Sequence, residues 1–352
     1  MKNITKLLLV LVSSVSLSFA AVAGEVSMSG SAKASYKIGG ADDSIGKGIG
    51  VSNELTAKAS GELDNGYTWN YHIDLDPGAS GSMTQDDAAL TISMGPIGTI
   101  GFFDGEGSLH SNLKWGVGAM GTGSDYAGTM TIAYGGDIDT ETNVQYHTPA
   151  GLLPFDVQVK FGYAPNLADT TGGNDYKSEG AAQTAALGGT SAQQYFLSAV
   201  PVDGLNIYAD YYETDDSLAT AQDYQSGGYA AQYAMGNFKF GYGKNYYAPA
   251  LTAKNGVKTM YETDSYGVEF AVNDALSISY SEENSEATTN VAIAGAATSG
   301  TKTRVESEIT SIQAAYVIGG ATLGVAITES DNADYVANKE EKVTVFSLAM
   351  AF

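Results

Sequence analysis

The side chains of this chain that could do chemistry are few and far apart. Its three histidines, His72, His110 and His147, are 38 and 37 residues apart, and no cysteine accompanies them. A metal site needs a closer set of nitrogen and sulfur ligands, so none is read from the histidines. His110 precedes Ser111, but nucleophilic catalysis also needs a third group to orient the base. "SNLK", Ser111 to Lys114, matches S-x-x-K without the K-T-G or S-D-N segments that complete that site. "GVGAMG", Gly116 to Gly121, matches G-x-G-x-x-G, yet no buried strand precedes it and no helical pattern follows, so it reads as a flexible loop. "DIDTET" begins like a calcium loop at Asp137, but Thr142 stands where Gly is needed and Thr148 where Glu is needed. No cofactor is therefore expected, except a loosely bound calcium ion at acidic pairs such as Asp42–Asp43, Asp86–Asp87 or Asp215–Asp216.

What remains is charge. Forty acidic residues against 17 basic ones give a net charge of −23 over 352 residues. Such a chain does not seek nucleic acid, and it has no basic patch. Fixed charges lining a water-filled passage, however, select among ions without making or breaking bonds.

The elements that would hold those charges alternate with period two. In "YTWNYHIDLD" one parity is Tyr67, Trp69, Tyr71, Ile73 and Leu75; the other is Thr68, Asn70, His72, Asp74 and Asp76. "EVSMSGSAKASYKI", "FDVQVKFGY" and "LNIYADYYE" repeat the pattern, which is that of two-faced strands. Turn signals at Asp64–Gly66, Asp203–Gly204, Gly236–Asn237, Asn273–Asp274 and Gly319–Gly320 join some strands tightly. Long acidic stretches, 164–190, 214–226, 247–259 and 283–302, join others. Clipped turns at one rim and large loops at the other are the pattern of an antiparallel barrel across a membrane. A seventeen-strand reading that includes 129–134 would put 164–190 at the short-turn rim. Assigning 129–134 to a loop gives sixteen strands, with both termini at that rim. The predicted fold is thus a 16-stranded antiparallel transmembrane β-barrel. One loop, about 104–141 between the fifth and sixth strands, is the third and longest of its rim and is expected to fold inward.

The ends agree. Residues 1–23 combine Lys2 and Lys6, an apolar run from Leu7, and Ala21-x-Ala23, which reads as a secretory signal peptide. Its removal leaves the barrel domain, 24–352, with a charge of −23 − 2 = −25. The last ten residues, "VTVFSLAMAF", carry Phe346, Leu348, Met350 and Phe352 on one parity, as a strand between lipid and lumen would.

With "DAALTISMGPIGTIGFFDGEG", "VQYHTPAGLLPFDVQVKFGYAP" and the terminal Phe352, the mature chain resembles the Gram-negative general porins, most nearly the alphaproteobacterial type. The resemblance implies a homotrimer in the outer membrane. It implies passive diffusion of ions and small hydrophilic solutes, no enzymatic activity, and a third loop that constricts the pore. It also implies that the barrel-assembly machinery reads the strand ending at Phe352. The expected eyelet sets loop acids Asp104, Glu106, Asp125, Asp137, Asp139 and Glu141 against wall lysines Lys33, Lys37, Lys58, Lys160 and Lys239. Lys33, Lys37 and Lys58 are expected to sit together. The family's wall cluster is usually arginine, whereas Arg304 is the one arginine here. The excess of acid points to a mild cation preference. A substrate-selective channel for a sugar or another small nutrient is the alternative. Small outward residues on the first two strands (Gly30, Ala32, Ala34, Ala57, Ala59, Gly61) mark the expected subunit interface, together with the last strand.

Overall fold

The structure, a computed structural model, describes residues 24–39, 46–77, 83–111, 115–127, 130–167, 191–215, 222–251, 257–292 and 299–352. The expected signal peptide, Asp42, Asp43, Lys114 and Asp216 lie outside these residues.

Alternating segments rich in Val, Thr, Tyr and Phe extend because such side chains pack on a pleated surface. The first eight strands are β1 (Glu25–Gly39), β2 (Gly48–Glu62), β3 (Thr68–Pro77), β4 (Met83–Ser93), β5 (Thr99–Asp104), β6 (Asn143–His147), β7 (Gln158–Ala164) and β8 (Ser191–Val202). They are followed by β9 (Leu205–Asp215), β10 (Gln225–Met235), β11 (Phe238–Ala248), β12 (Val257–Ala271), β13 (Leu276–Ala292), β14 (Ser299–Ile318), β15 (Ala321–Asp331) and β16 (Glu341–Ala351). Each pairs with its sequence neighbours, and β16 pairs with β1, closing the barrel. At the seam Ser31 opposes Ala351 and Gly39 opposes Val343. Gly30 and Phe352 exchange both backbone hydrogen bonds, at 2.8 and 2.9 Å. The Phe352 ring lies so close to Gly30 that a Cβ there would fall 2.6 Å from it. Closure leaves no unpaired strand edge, the condition for a sheet to stand in hydrocarbon.

Every expected tight turn forms. Gly319 and Gly320, with φ of 57° and 85°, join β14 to β15 in a conformation that only glycine adopts freely. The connections at the other rim include 105–142, hereafter the inner loop, in which 130–134 is irregular as expected.

The outer face is apolar and aromatic up to a row of tyrosines. Tyr211 donates to Glu213, Tyr242 to Asp264 and Tyr280 to Glu282, each at 2.8 Å. These pairs form a polar rim above the apolar band. Above that level β13 and β14 continue, so much of the stretch expected as a loop, 283–302, belongs to Leu276–Ala292 and Ser299–Ile318. The expected loops 214–226, 247–259 and 283–302 are correspondingly shorter. There the outward Glu282, Asn284 and Glu286 are polar and so are the buried inward Glu283 and Ser285, so the sequence no longer alternates in polarity and reads as loop.

Candidate pore constriction

The lumen holds the loop between its ends at β5 and β6, and the packing shows how. One apolar foot is Leu109 and Ile138, buried against Ala164, Ala192, Phe196 and Tyr212 of β7, β8 and β9. The other is Tyr126, Ala127 and Met130 against Ile309, Ala326, Val343 and Val345 of β14, β15 and β16. Between the feet Trp115 is fully buried on β11. It needs Gly241 and Gly243, where a Cβ would come within 2.6 Å of Val117 and 2.7 Å of Trp115 respectively.

A loop with no ladder of its own must find partners for its backbone elsewhere. The wall supplies them. Ile138 N–H donates to Gln194 Oε1 at 2.8 Å, and Ser111 N–H to Asp210 Oδ1 at 2.9 Å. Gln232 Nε2 donates to the Gly116 carbonyl at 2.9 Å. Ala119 N–H donates to Ser279 Oγ at 2.8 Å and Met120 N–H to Gln313 Oε1 at 2.9 Å. Buried Glu283 accepts Ser124 N–H at 2.8 Å and also the Tyr134 hydroxyl. These anchors were not among the residues expected from sequence. Their signal was a run of Gly, Ser, Gln and Glu on the lumen parity of β8 to β14, which also suits an ordinary wet wall.

The loop acids divide by environment. Asp125 is exposed and lines a cavity with Lys33 and Lys37. Glu106 reaches the wall, its Oε2 2.5 Å from His72 Nε2 on β3. Asp137 is buried and holds the loop to itself, accepting Leu109 N–H at 3.0 Å and the Ser108 hydroxyl. Burial pushes the Glu141 carboxyl up to about 7. Burial and neighbouring Asp137 raise Asp139 to about 6, partly offset by His110. Burial alone would lower His110, but Asp210, Asp137 and Asp139 together hold it above its ordinary value. Asp104 is not brought to the eyelet. It shares the outward parity of Phe102 and ends β5 on Thr142 Oγ1 at 3.1 Å and Gln85 Nε2 at 3.4 Å.

The lysines divide too. Lys33 Nζ donates to Tyr126 Oη at 3.0 Å, across from the loop's second foot. Lys58 does not join Lys33 and Lys37. It opposes Ser27, six residues below Lys33 on β1, or roughly 20 Å along the strand. Its other neighbour in register is His72. Lys160 lies over the Phe196 ring at 5.5 Å, opposite His147. Lys239 opposes Glu269, just above the turn at 236–237. Neither belongs to the Lys33–Lys37 cavity. Of the expected calcium pairs, Asp87 approaches Glu106 and Asp74 without Asp86.

The loop therefore runs along the wall from β7 round to β16. It meets the arc β1–β4 at Lys33–Tyr126 and His72–Glu106. That arc carries lysines, a histidine and carboxylates clear of the loop's backbone, where the covered arc carries glycines, amides, serine and the two anchoring carboxylates Asp210 and Glu283.

No family model matches the chain, and no curated protein sequence does either. Solved structures match over nearly the whole length. A loop-deletion mutant of OmpT, an outer membrane protein of Vibrio cholerae, is 14% identical with a TM-score of 0.63, covering 94% of this chain and 100% of that one. An anion-selective porin from Comamonas acidovorans is 11% identical with a TM-score of 0.65, over 94% and 100%. Salmonella typhi OmpF, in complex with daunomycin, is 11% identical with a TM-score of 0.61, over 94% and 98%. At such identities the likeness is one of fold: the chain has the sixteen-stranded barrel of Gram-negative outer-membrane porins and channels.

Proposed function

We propose that this chain is a general diffusion porin of the Gram-negative outer membrane, exported with residues 1–23 removed. It passes ions and small hydrophilic solutes between the inner loop and the β1–β4 wall. The observation that carries the reading is the inward loop, bonded to one arc of the barrel and facing the charges of the other. A barrel serving adhesion alone has no use for such a constriction. Asp125 and Glu106 from the loop, with Lys33 and Lys37 from the wall, line the eyelet, and the overall acid excess favours cations.

The assembly is a homotrimer through β1, β2 and β16. Outward residues of β1 and β2 are among the most exposed of the described apolar surface, with Val26 at 77%, Met28 at 66%, Ile49 at 82% and Val51 at 71%, against 40% for Phe240. Small neighbours leave them uncovered, and a second barrel approaching over Ala32, Ala34 and Ala57 would bury them. Ala57→Trp should dissociate the trimer on native gels. The terminal strand through Phe352 is the segment presented to the assembly machinery.

Single-channel recording in a planar bilayer tests the function. Conductance in triplets and a cation-directed reversal potential under asymmetric salt are expected. A silent bilayer would break the reading. Removing 116–123 should raise conductance; an unchanged value would remove the eyelet assignment.

A second reading, a sugar-selective channel, draws on four partly exposed tyrosine rings. Tyr224, Tyr247, Tyr261 and Tyr335 form a chain with successive centroids 5.3, 5.4 and 5.2 Å apart. Stacking on sugar faces would make oligosaccharides block the current, and Tyr247→Ala would relieve the block.

A further inference from the structure

Where the inner loop leaves β5, four donor groups from three elements converge on the lumen wall. His72 and Asp74 stand two residues apart on β3 and so share a face. Asp87 comes from β4 and Glu106 from the start of the loop. One ligand atom from each lies within 4.8 Å of all the others. The β3–β4 register slips between Ile73 and Leu75. Irregularities of this kind re-aim side chains, and here the slip lies beside Asp87.

Three carboxylates at this distance repel one another, and a single imidazole cannot serve all of them. Asp74 Oδ1 and Asp87 Oδ1 are shielded from solvent, and neither has a hydrogen-bond partner. Shielded acceptors without donors are rare in folded proteins, and an ion is one of the few things that satisfies them. The donor set decides which ion. Calcium and magnesium take oxygen ligands, whereas one imidazole nitrogen with three carboxylates suits a borderline cation.

We propose that His72, Asp74, Asp87 and Glu106 form a binding site for a divalent transition cation of the zinc type, at the root of the inner loop. The bound ion clamps Glu106 to β3 and β4. It also neutralises carboxylate charge on the open arc. The effect on the current rests on the porin reading; the binding itself does not.

Calorimetry with zinc ion alone, on the folded chain in detergent after chelator treatment, reads the site directly. One ion per chain is expected. His72→Ala and Asp87→Asn should each weaken binding at least ~10-fold, the scale on which metal sites respond to lost partners. His147→Ala, on β6, should bind as the parent does. No zinc uptake, or equal uptake by parent and both variants, overturns the site. So does calcium binding that exceeds zinc binding and is indifferent to His72→Ala. If one variant fails to fold, judged by heat-modifiable migration on gels, the other and Glu106→Gln decide. In a bilayer, zinc should lower the parent's cation preference and leave that of His72→Ala unchanged. A channel that binds zinc in detergent but is silent in the bilayer would overturn the porin reading and leave the site standing.

Discussion

The β1–β4 arc and the β8–β14 arc are built from the same alternating strands, yet their lumen faces differ in kind. On β8–β14 the inward side chains are glycine where Trp115 and Val117 press on the wall, and Gln, Ser or Glu where loop amides need partners. On β1–β4 they are Lys33, Lys37, Lys58, His72, Asp74 and Asp87, which meet the loop at Tyr126 and Glu106 and elsewhere line open space. One arc is the inside of a packed interface and the other is left largely uncovered by the loop. The lesson is that lumen residues are chosen by what faces them and not by their depth in the barrel.

Trp115→Ala should be the harshest test of that contrast. Removing a fully buried tryptophan costs about 3–5 kcal/mol, here charged to loop docking, and should bring noisy, enlarged single-channel currents. Gly241→Ala should do the same by forcing Val117 off the wall, whereas Gly48→Ala on the open arc meets nothing within 4 Å and should be silent. Equal behaviour of the two glycine variants would erase the distinction between the arcs.

Glu283→Ala comes next. It leaves Ser124 N–H and the Tyr134 hydroxyl without their acceptor, a loss of about 1–3 kcal/mol, and should expose 120–134 to protease without unfolding the barrel.

A smaller effect follows from pH. Asp139 titrates near 6 instead of 3.8 and Glu141 near 7 instead of 4.5, so the folded loop holds more protons than the unfolded one between these values. Loop docking should therefore weaken as pH rises from about 4 to 7 and be strongest below that window. Protease susceptibility at pH 5 and pH 8 reads this, and Glu141→Gln should flatten the upper part of the curve.

The mildest change is expected from Lys33→Gln and Lys37→Gln. Each removes one positive charge from the cavity that Asp125 lines, and the cation-to-anion permeability ratio should rise by less than ~5-fold, equivalent to under about 1 kcal/mol.

Much of the fold could be read from sequence because a barrel wall between lipid and water has a period-two code. Tyr67, Trp69 and Tyr71 alternate with Thr68, Asn70 and His72, and turns such as Gly319–Gly320 declare themselves by composition. Where that code lapses, as in Glu283–Ala292, the strand was missed. The candidate site was only half legible. The resemblance set six loop acids against five wall lysines, and of these Asp125 shares a cavity with Lys33 and Lys37. The outward turn of Asp104 and the separation of Lys58 depend on register, which no local pattern records.

Sequence alone thus determined the strand number, the side of the barrel on which the long loops lie, and the seam ending at Phe352. Each follows from the local alternation that two solvents impose on one sheet. Tertiary structure decided which loop acid shares a cavity with Lys33 and Lys37, why Gly241 and Gly243 are glycines, and that His72 meets Asp74, Asp87 and Glu106. Those are contacts between residues far apart in the chain, set by the register of a closed barrel and the path of a loop through it.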